Sequence, residues 1–477
     1  MLFTSLEFLL FFFPITLGVY FFLPQHGGMR NYWLLVTSLF FYAWGEPTFV
    51  LIMIGSILFN YFLALHIEEM ETGSRGRRGF LALALLVNLG LLFVFKYMNF
   101  VTKNLRVVFP GLQDTIPQTS IVLPIGISFF TFQALSYVID VYRGIPAQKN
   151  LGYMGLYISL FPQLIAGPIV RYTTIMDQME EREITWDSFS YGTRRFLYGF
   201  NKKMLLANLL ATGADAAFDA GKLSVAMAWL GAVAYTLQIY FDFSGYSEMA
   251  IGLGQMFGFR FLENFDYPYI SKTVTEFWRR WHISLGSWFR DYVYFPLGGS
   301  RVNSKLRLVF NLAVVWLATG VWHGASWHFV AWGVLHGAVI VMEKTLELPS
   351  RVSQKKSFSV CYQVFVLLVV VFAWVLFRAN GLITGLRYWK DMFGLRGNAV
   401  IDDTFLFYLR EYGVILAVGL LCSTPLLRVC GEKLHSAGGK WGALWDGGGG
   451  AVRVALFVVG ISFLIMNAHN PFIYFNF

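Results

Sequence analysis

From Gly79 to Phe95 the chain runs GFLALALLVNLGLLFVF without a single charged side chain. A helix rises about 1.5 Å per residue, and a bilayer core of about 30 Å needs about 20 apolar residues to cross it. This run and its flank up to Met98 meet that length. Inside lipid no water satisfies backbone N–H and C=O groups, and a helix is the structure that satisfies them within one segment. Comparable stretches recur near 5–24, 31–44, 48–67, 121–139, 195–211, 226–257, 308–323, 327–344, 359–377, 413–427 and 453–469. The sequence therefore predicts an all-α polytopic membrane protein with about 11–12 spanning helices, of which 31–44 and 413–427 are the weakest.

Composition agrees. Charged residues make up 14% of the chain, against roughly a quarter in a soluble domain. The 48 Phe and 15 Trp suit a bilayer interior with aromatic belts at its edges. A net charge of +9 is the ordinary excess of Lys and Arg in cytoplasmic loops, so nucleic acid is not needed to explain it. The three cysteines, Cys361, Cys422 and Cys430, have neither the spacing of a disulfide framework nor that of a thiolate metal site. The first apolar run lacks a basic leader and a small-residue cleavage site, so it reads as a retained span.

Two stretches interrupt the helical pattern. Residues 151–169, LGYMGLYISLFPQLIAGPI, are apolar but broken by Pro162 and by Gly167-Pro168. Irregular backbone at membrane depth survives only where protein or a cavity shelters it, so this piece is expected to be re-entrant or half-spanning. The run DGGGG at 446–450 reads as a flexible connector before the last helix. Arg75, Arg77 and Arg78 follow the third span, while the turn WGEP at 44–47 has no basic residue. That bias puts the 68–78 loop in the cytoplasm and the N-terminus outside.

The segment TVTEFWRRWHISLGSWFRDYVYFPLGG, 273–299, is the richest in chemistry. Thr273 and Glu276 form a capping box. Val274, Phe277, Trp278, Trp281, Leu285, Trp288 and Phe289 then recur at helical spacing, which predicts an amphipathic helix lying along the cytoplasmic interface. His282 falls with the buried side. It is either satisfied by packing or aimed into a cavity where the neighbouring arginines meet an anionic cosubstrate.

In RLVFNLAVVWLATGVWHGASWHFVAWGVLHG, Trp316, Thr319, Gly320 and His323 share one face of a span that Gly324 loosens. An ionisable group inside a span is costly and is a functional candidate by default, and a neutral imidazole is suited to general-base work. A helix–helix hydrogen bond is the plainer explanation. His328 and His336 lie nearby, but the spacing does not place ligands one turn apart and no carboxylate or thiolate joins them, so no metal is expected. Asp242 and Glu248, in YFDFSGYSEM, sit about 120° apart on a helix and do not form a paired carboxylate site. Asp242 either orients a histidine or ties the bundle together.

The combination LPIGISFFTFQALSYVIDVYRG, YFDFSGYSEMAIG, FWRRWHISLGSWFRDYVYFPLGG and GVWHGASWHFVAWGVLHG resembles the membrane-bound O-acyltransferase family. More narrowly, it resembles the bacterial branch that O-acetylates alginate or peptidoglycan or D-alanylates teichoic acid. The resemblance covers nearly the whole chain. It implies one membrane domain over 1–477, a ring of helices around a tunnel with re-entrant pieces, and residence in the bacterial inner membrane. It implies transfer of an acetyl group from cytoplasmic acetyl-CoA, a cosubstrate and not a bound cofactor, to a hydroxyl of an extracytoplasmic polysaccharide. A periplasmic acetyltransferase partner would finish the transfer. By resemblance His323 is the catalytic histidine and His282 a second functional position, with Arg279, Arg280 and Arg290 at the CoA phosphates. The tail 470–477, ending FIYFNF, matches a C-terminal aromatic motif of this branch in which the tyrosine, here Tyr474, accepts the acyl group. An aromatic anchor at the interface is the plainer alternative. A transporter of a lipid-linked sugar would need paired broken helices in two halves of the chain, and only one is visible.

Overall fold

The computed structural model describes residues 1–24, 28–436, 438–466 and Ile473. Tyr474 and the rest of the 470–477 tail apart from Ile473 lie outside the described residues. The described chain is helical, with no strand among these residues. Among the described residues six helices can cross a membrane by length and composition: Val50–Glu69, Arg75–Val108, Lys305–His323, Lys356–Arg378, Asp403–Cys422 and Gly447–Ile465. A seventh follows if Trp327–Thr345 and Leu348–Gln354, bent by 67° to each other, count as one span. This is fewer than the twelve apolar stretches. Several of those fold as short or interrupted helices, such as Phe8–Phe22 and Ile127–Tyr142.

The chain forms two compact units. The first comprises Met1–Thr193 and Ala250–Leu262. Its centre is a cluster of phenylalanines, Phe3, Phe8, Phe12, Phe41, Phe161 and Phe257, with ring centroids 5.0–6.4 Å apart. Buried Asn60 and Asn88 exchange amide hydrogen bonds of 3.2 and 2.8 Å between neighbouring spans, which satisfies polar groups that lipid cannot. The broken segment behaves as its prolines and glycines require. Helix Leu151–Ser159 begins at an Asn150 cap and ends at Leu160, a short turn Phe161–Leu164 follows, and residues 154–170 are buried throughout.

The second unit comprises Arg194–Met249 and Glu263–Phe477. Its core is aromatic: Trp281, Trp332 and Trp374 are all but fully buried. Helices Lys305–His323 and Trp327–Thr345 pack closely because glycines face each other. A Cβ on Gly333 would sit 2.5 Å from the Trp316 carbonyl oxygen, and one on Gly320 would sit 2.6 Å from that of Phe329. The small residues beside His323 thus serve the approach of the following helix. The glycine run 447–450 is not a connector but lies inside helix Gly439–Ile465. A segment at membrane depth must satisfy its own backbone groups, and that requirement overrides glycine's weak helix propensity.

Candidate functional site

Segment 273–299 is not one continuous amphipathic helix. Thr273 does cap it, its hydroxyl accepting from the Glu276 amide at 3.0 Å. The helix Val274–Arg280 then stops: Trp281 is extended and His282 adopts the left-handed conformation, φ 44° and ψ 55°. A second helix, Ile283–Phe289, starts immediately and ends in a π turn, Arg290–Tyr294. A positive φ at a residue other than glycine is strained and persists only when its surroundings fix it. Here the neighbouring segment clamps both sides. The Asp266 amide donates to the Arg280 carbonyl at 2.9 Å, and the Ile283 amide to that of Asn264 at 3.0 Å. His282 is therefore buried, 1% exposed, by a break in the helix and not by a position on a stripe.

The Asn264 side chain sets the chemistry of that imidazole. Its Oδ1 accepts from the Ser284 amide at 3.2 Å and hydroxyl at 2.9 Å, and its Nδ2 donates to Ser247 Oγ at 3.0 Å. That network assigns oxygen to the side facing His282 Nδ1, 3.2 Å away. Nδ1 must then carry the proton, leaving the Nε2 lone pair as the basic site. Burial lowers the His282 pKa to about 3, favouring the neutral ring.

A cavity of about 510 Å³ opens beside this break. His282, Arg279 and Arg290 lie on its wall together with Trp278, Trp316 and Thr319. The Arg279 and Arg290 side chains are exposed, and Arg290 also pairs with Asp291 at 2.8 Å. Arg280 is turned elsewhere, to Asp266 at 2.9 Å and Glu276 at 3.0 Å. The wall thus combines a neutral base and two guanidinium groups on an otherwise largely apolar surface.

His323 ends its helix one turn beyond Thr319 and is 3% exposed. Its ring packs edge-on against Trp332 at 4.8 Å, Trp322 at 5.1 Å and Phe377 at 5.1 Å. The Trp322 indole also lies 6.1 Å from the His282 ring, so one side chain meets both imidazoles. His336 is buried with its Nδ1 accepting from Trp278 Nε1 at 3.3 Å, and His328 Nδ1 is 2.8 Å from Ser326 Oγ. These two histidines face different partners, and among the described residues no group of three His, Cys, Asp or Glu side chains is placed to hold a metal.

Among the described residues no histidine is bonded to Asp242. Its carboxylate pairs with Lys203 at 2.5 Å, while Glu248 pairs with Lys202 at 3.3 Å and with Arg195. The sequence signal was the KK at 202–203 within an apolar stretch. Glu343, 0% exposed, was also missed; it accepts from the amides of Val274 and Thr275 at 2.6 and 2.8 Å and so holds the start of the Val274–Arg280 helix.

A buried histidine and two arginines on one cavity wall, beside the candidate span Lys305–His323, make a candidate active site in a membrane protein, and the relatives say which kind. Residues 150–386 match the membrane-bound O-acyltransferase family. The chain is 38% identical to the probable alginate O-acetylase AlgI of Azotobacter vinelandii, over 100% of both chains. It is 44% identical to the probable alginate O-acetylase AlgI of Pseudomonas aeruginosa, over 82% of this chain and 75% of that one. It is 32% identical to the peptidoglycan O-acetyltransferase of Helicobacter pylori, over 100% of this chain and 98% of that one. The chain belongs to the membrane-bound O-acyltransferase family, and it is a multi-pass membrane acyltransferase.

Proposed function

We propose that this enzyme moves an acetyl group from acetyl-CoA, on the cytoplasmic side of the bacterial inner membrane, toward alginate or a similar exopolysaccharide outside. The observation that carries the reading is the cavity that joins His282, Arg279 and Arg290 beside the His323 helix. Two guanidinium groups at its wall suit the phosphates of CoA. Arg280, held by Asp266 and Glu276, is left to brace the helix.

His323 acts as the general base. It takes the proton of an incoming hydroxyl as that oxygen attacks the thioester carbonyl; the C–S bond breaks and the CoA thiolate leaves, taking up a proton from the imidazolium. The Tyr474 hydroxyl is the first acceptor, and a periplasmic acetyltransferase passes the group to the polymer. A polar carrier such as CoA cannot cross lipid, whereas an acetyl group of two carbons passes through a narrow path. The basic residues of the 68–78 loop support a cytoplasmic position for it and hence an external N-terminus.

Alginate is favoured over peptidoglycan because the alginate O-acetylases share 38% and 44% identity with this chain, against 32% for the peptidoglycan enzyme. The test is His323→Ala, scored for polymer acetylation and for protein in the membrane. Loss of acetylation with normal insertion is expected, and wild-type acetylation overturns the assignment. The same membranes, assayed with alginate and with murein as acceptors, decide the polymer.

A further inference from the structure

The buried pair Lys203–Asp242 has a third member. Asp242 is 1% exposed, and its two oxygens are used differently. Oδ1 meets Lys203 Nζ at 2.5 Å. Oδ2 accepts the backbone N–H of Ile473, 231 residues away in sequence, at 2.9 Å, and Ile473 is itself buried. The bundle already ties the same helices together through Glu248, which pairs with Lys202 and Arg195. Lys202 and Lys203 sit on a π turn, Lys202–Ala207, and pair with separate carboxylates. Such turns recur at functional positions.

The last helix docks on the same stretch. Asn201 Nδ2 donates to the Arg453 carbonyl at 3.0 Å, the Phe200 and Phe457 rings lie 4.7 Å apart, and Gly460 lets the Phe200 ring come close. The bond from Asp242 is to the main chain, so it holds the backbone at Ile473 whatever side chain stands there. A buried ion pair is costly to desolvate, and its best-attested use is to specify register.

We propose that Lys203 and Asp242 form the seat of the C-terminal tail and act as positioning residues, holding the main chain one residue before Tyr474. The seat is independent of the chemistry; its link to acyl transfer rests on the reading of Tyr474 as first acceptor.

The test uses the full chain in lipid nanodiscs, with Cys361, Cys422 and Cys430 replaced by Ser and a nitroxide on Phe477→Cys. Ile473→Pro removes the donor and leaves the ion pair. The charge swap Lys203→Asp with Asp242→Lys restores a pair but no acceptor at position 242. An immobilised label in the parent, mobile in both variants, is expected, with acetylation falling at least tenfold. A mobile label in the parent, or immobilised labels in either variant, overturns the seat, and Ile473→Pro decides alone should the swap not fold. A tail set free with undiminished acetylation keeps the seat and overturns the Tyr474 reading instead.

Discussion

Asn264 Oδ1 lies 3.2 Å from His282 Nδ1 and holds the imidazole with its proton on that nitrogen. An amide does this without adding charge, so burial alone sets the ring's basicity, with a pKa of about 3. His282 is then neutral across the physiological range, so wild-type activity is expected to show no acid limb from it between about pH 5 and pH 8. Asn264→Asp keeps the shape and places a carboxylate against the ring. That charge stabilises the imidazolium and raises the His282 pKa, so the neutral form is lost as pH falls through the raised value. An acid limb absent from the wild type is the expected result, measured as acetylation rate against pH. A profile as flat as wild type contradicts the assigned role of Asn264.

Glu343 braces the cavity from the side of the bundle. Its carboxylate receives the Val274 amide at 2.6 Å, the Thr275 amide at 2.8 Å, the Thr275 hydroxyl at 2.6 Å and the Tyr362 hydroxyl at 3.2 Å. Glu343→Gln turns an NH₂ group toward donors that need an acceptor. Charge-assisted hydrogen bonds contribute about 1.5–3 kcal/mol each, so the variant is expected to lose about 2–3 kcal/mol. Thermal unfolding in detergent reads this as a midpoint lowered by several degrees, and an unchanged midpoint contradicts it.

What the sequence disclosed follows from which forces act locally. Hydrophobic length disclosed the membrane class, and Pro162 with Gly167-Pro168 disclosed the sheltered break at 151–169, because these depend on neighbouring residues alone. The stripe from Val274 to Phe289 misled, since apolar residues at helical spacing are equally compatible with two short helices. The break at His282 is imposed by backbone bonds from Asn264 and Asp266, which no local pattern reveals. Lys203 with Asp242, and Glu343 with Val274, were hidden for the same reason. Each is a long-range pairing whose only sequence trace is a charge in an apolar run. The run at 446–450 misled in the opposite direction, because glycine's weak propensity yields where backbone groups have no water.

Gly333 tests how closely the His323 helix must be held. A Cβ there would stand 2.5 Å from the Trp316 carbonyl oxygen and 3.1 Å from Gly320 Cα, well inside ordinary contact. Gly333→Ala forces the two helices apart by about an ångström, and displacement on that scale costs up to about 100-fold in rate. Trp316 and Thr319 line the cavity, so the shift moves its wall along with His323. Acetylation per inserted molecule is expected to fall at least tenfold with membrane level maintained. Full activity means the helices can slide without disturbing the site.

The tail carries the remaining prediction, for Tyr474 follows Ile473, whose amide is bonded to Asp242 at 2.9 Å. An aromatic anchor needs a ring, and an acyl acceptor needs a hydroxyl. Tyr474→Phe separates the two, keeping the ring and removing the oxygen that would attack the thioester. The backbone bond of Ile473 is untouched by this change, so tail docking is expected to persist. Polymer acetylation is expected to disappear while the protein still reaches the membrane. Chromatography of the polymer's ester content reads the outcome, and normal acetylation in Tyr474→Phe makes the tail an anchor alone.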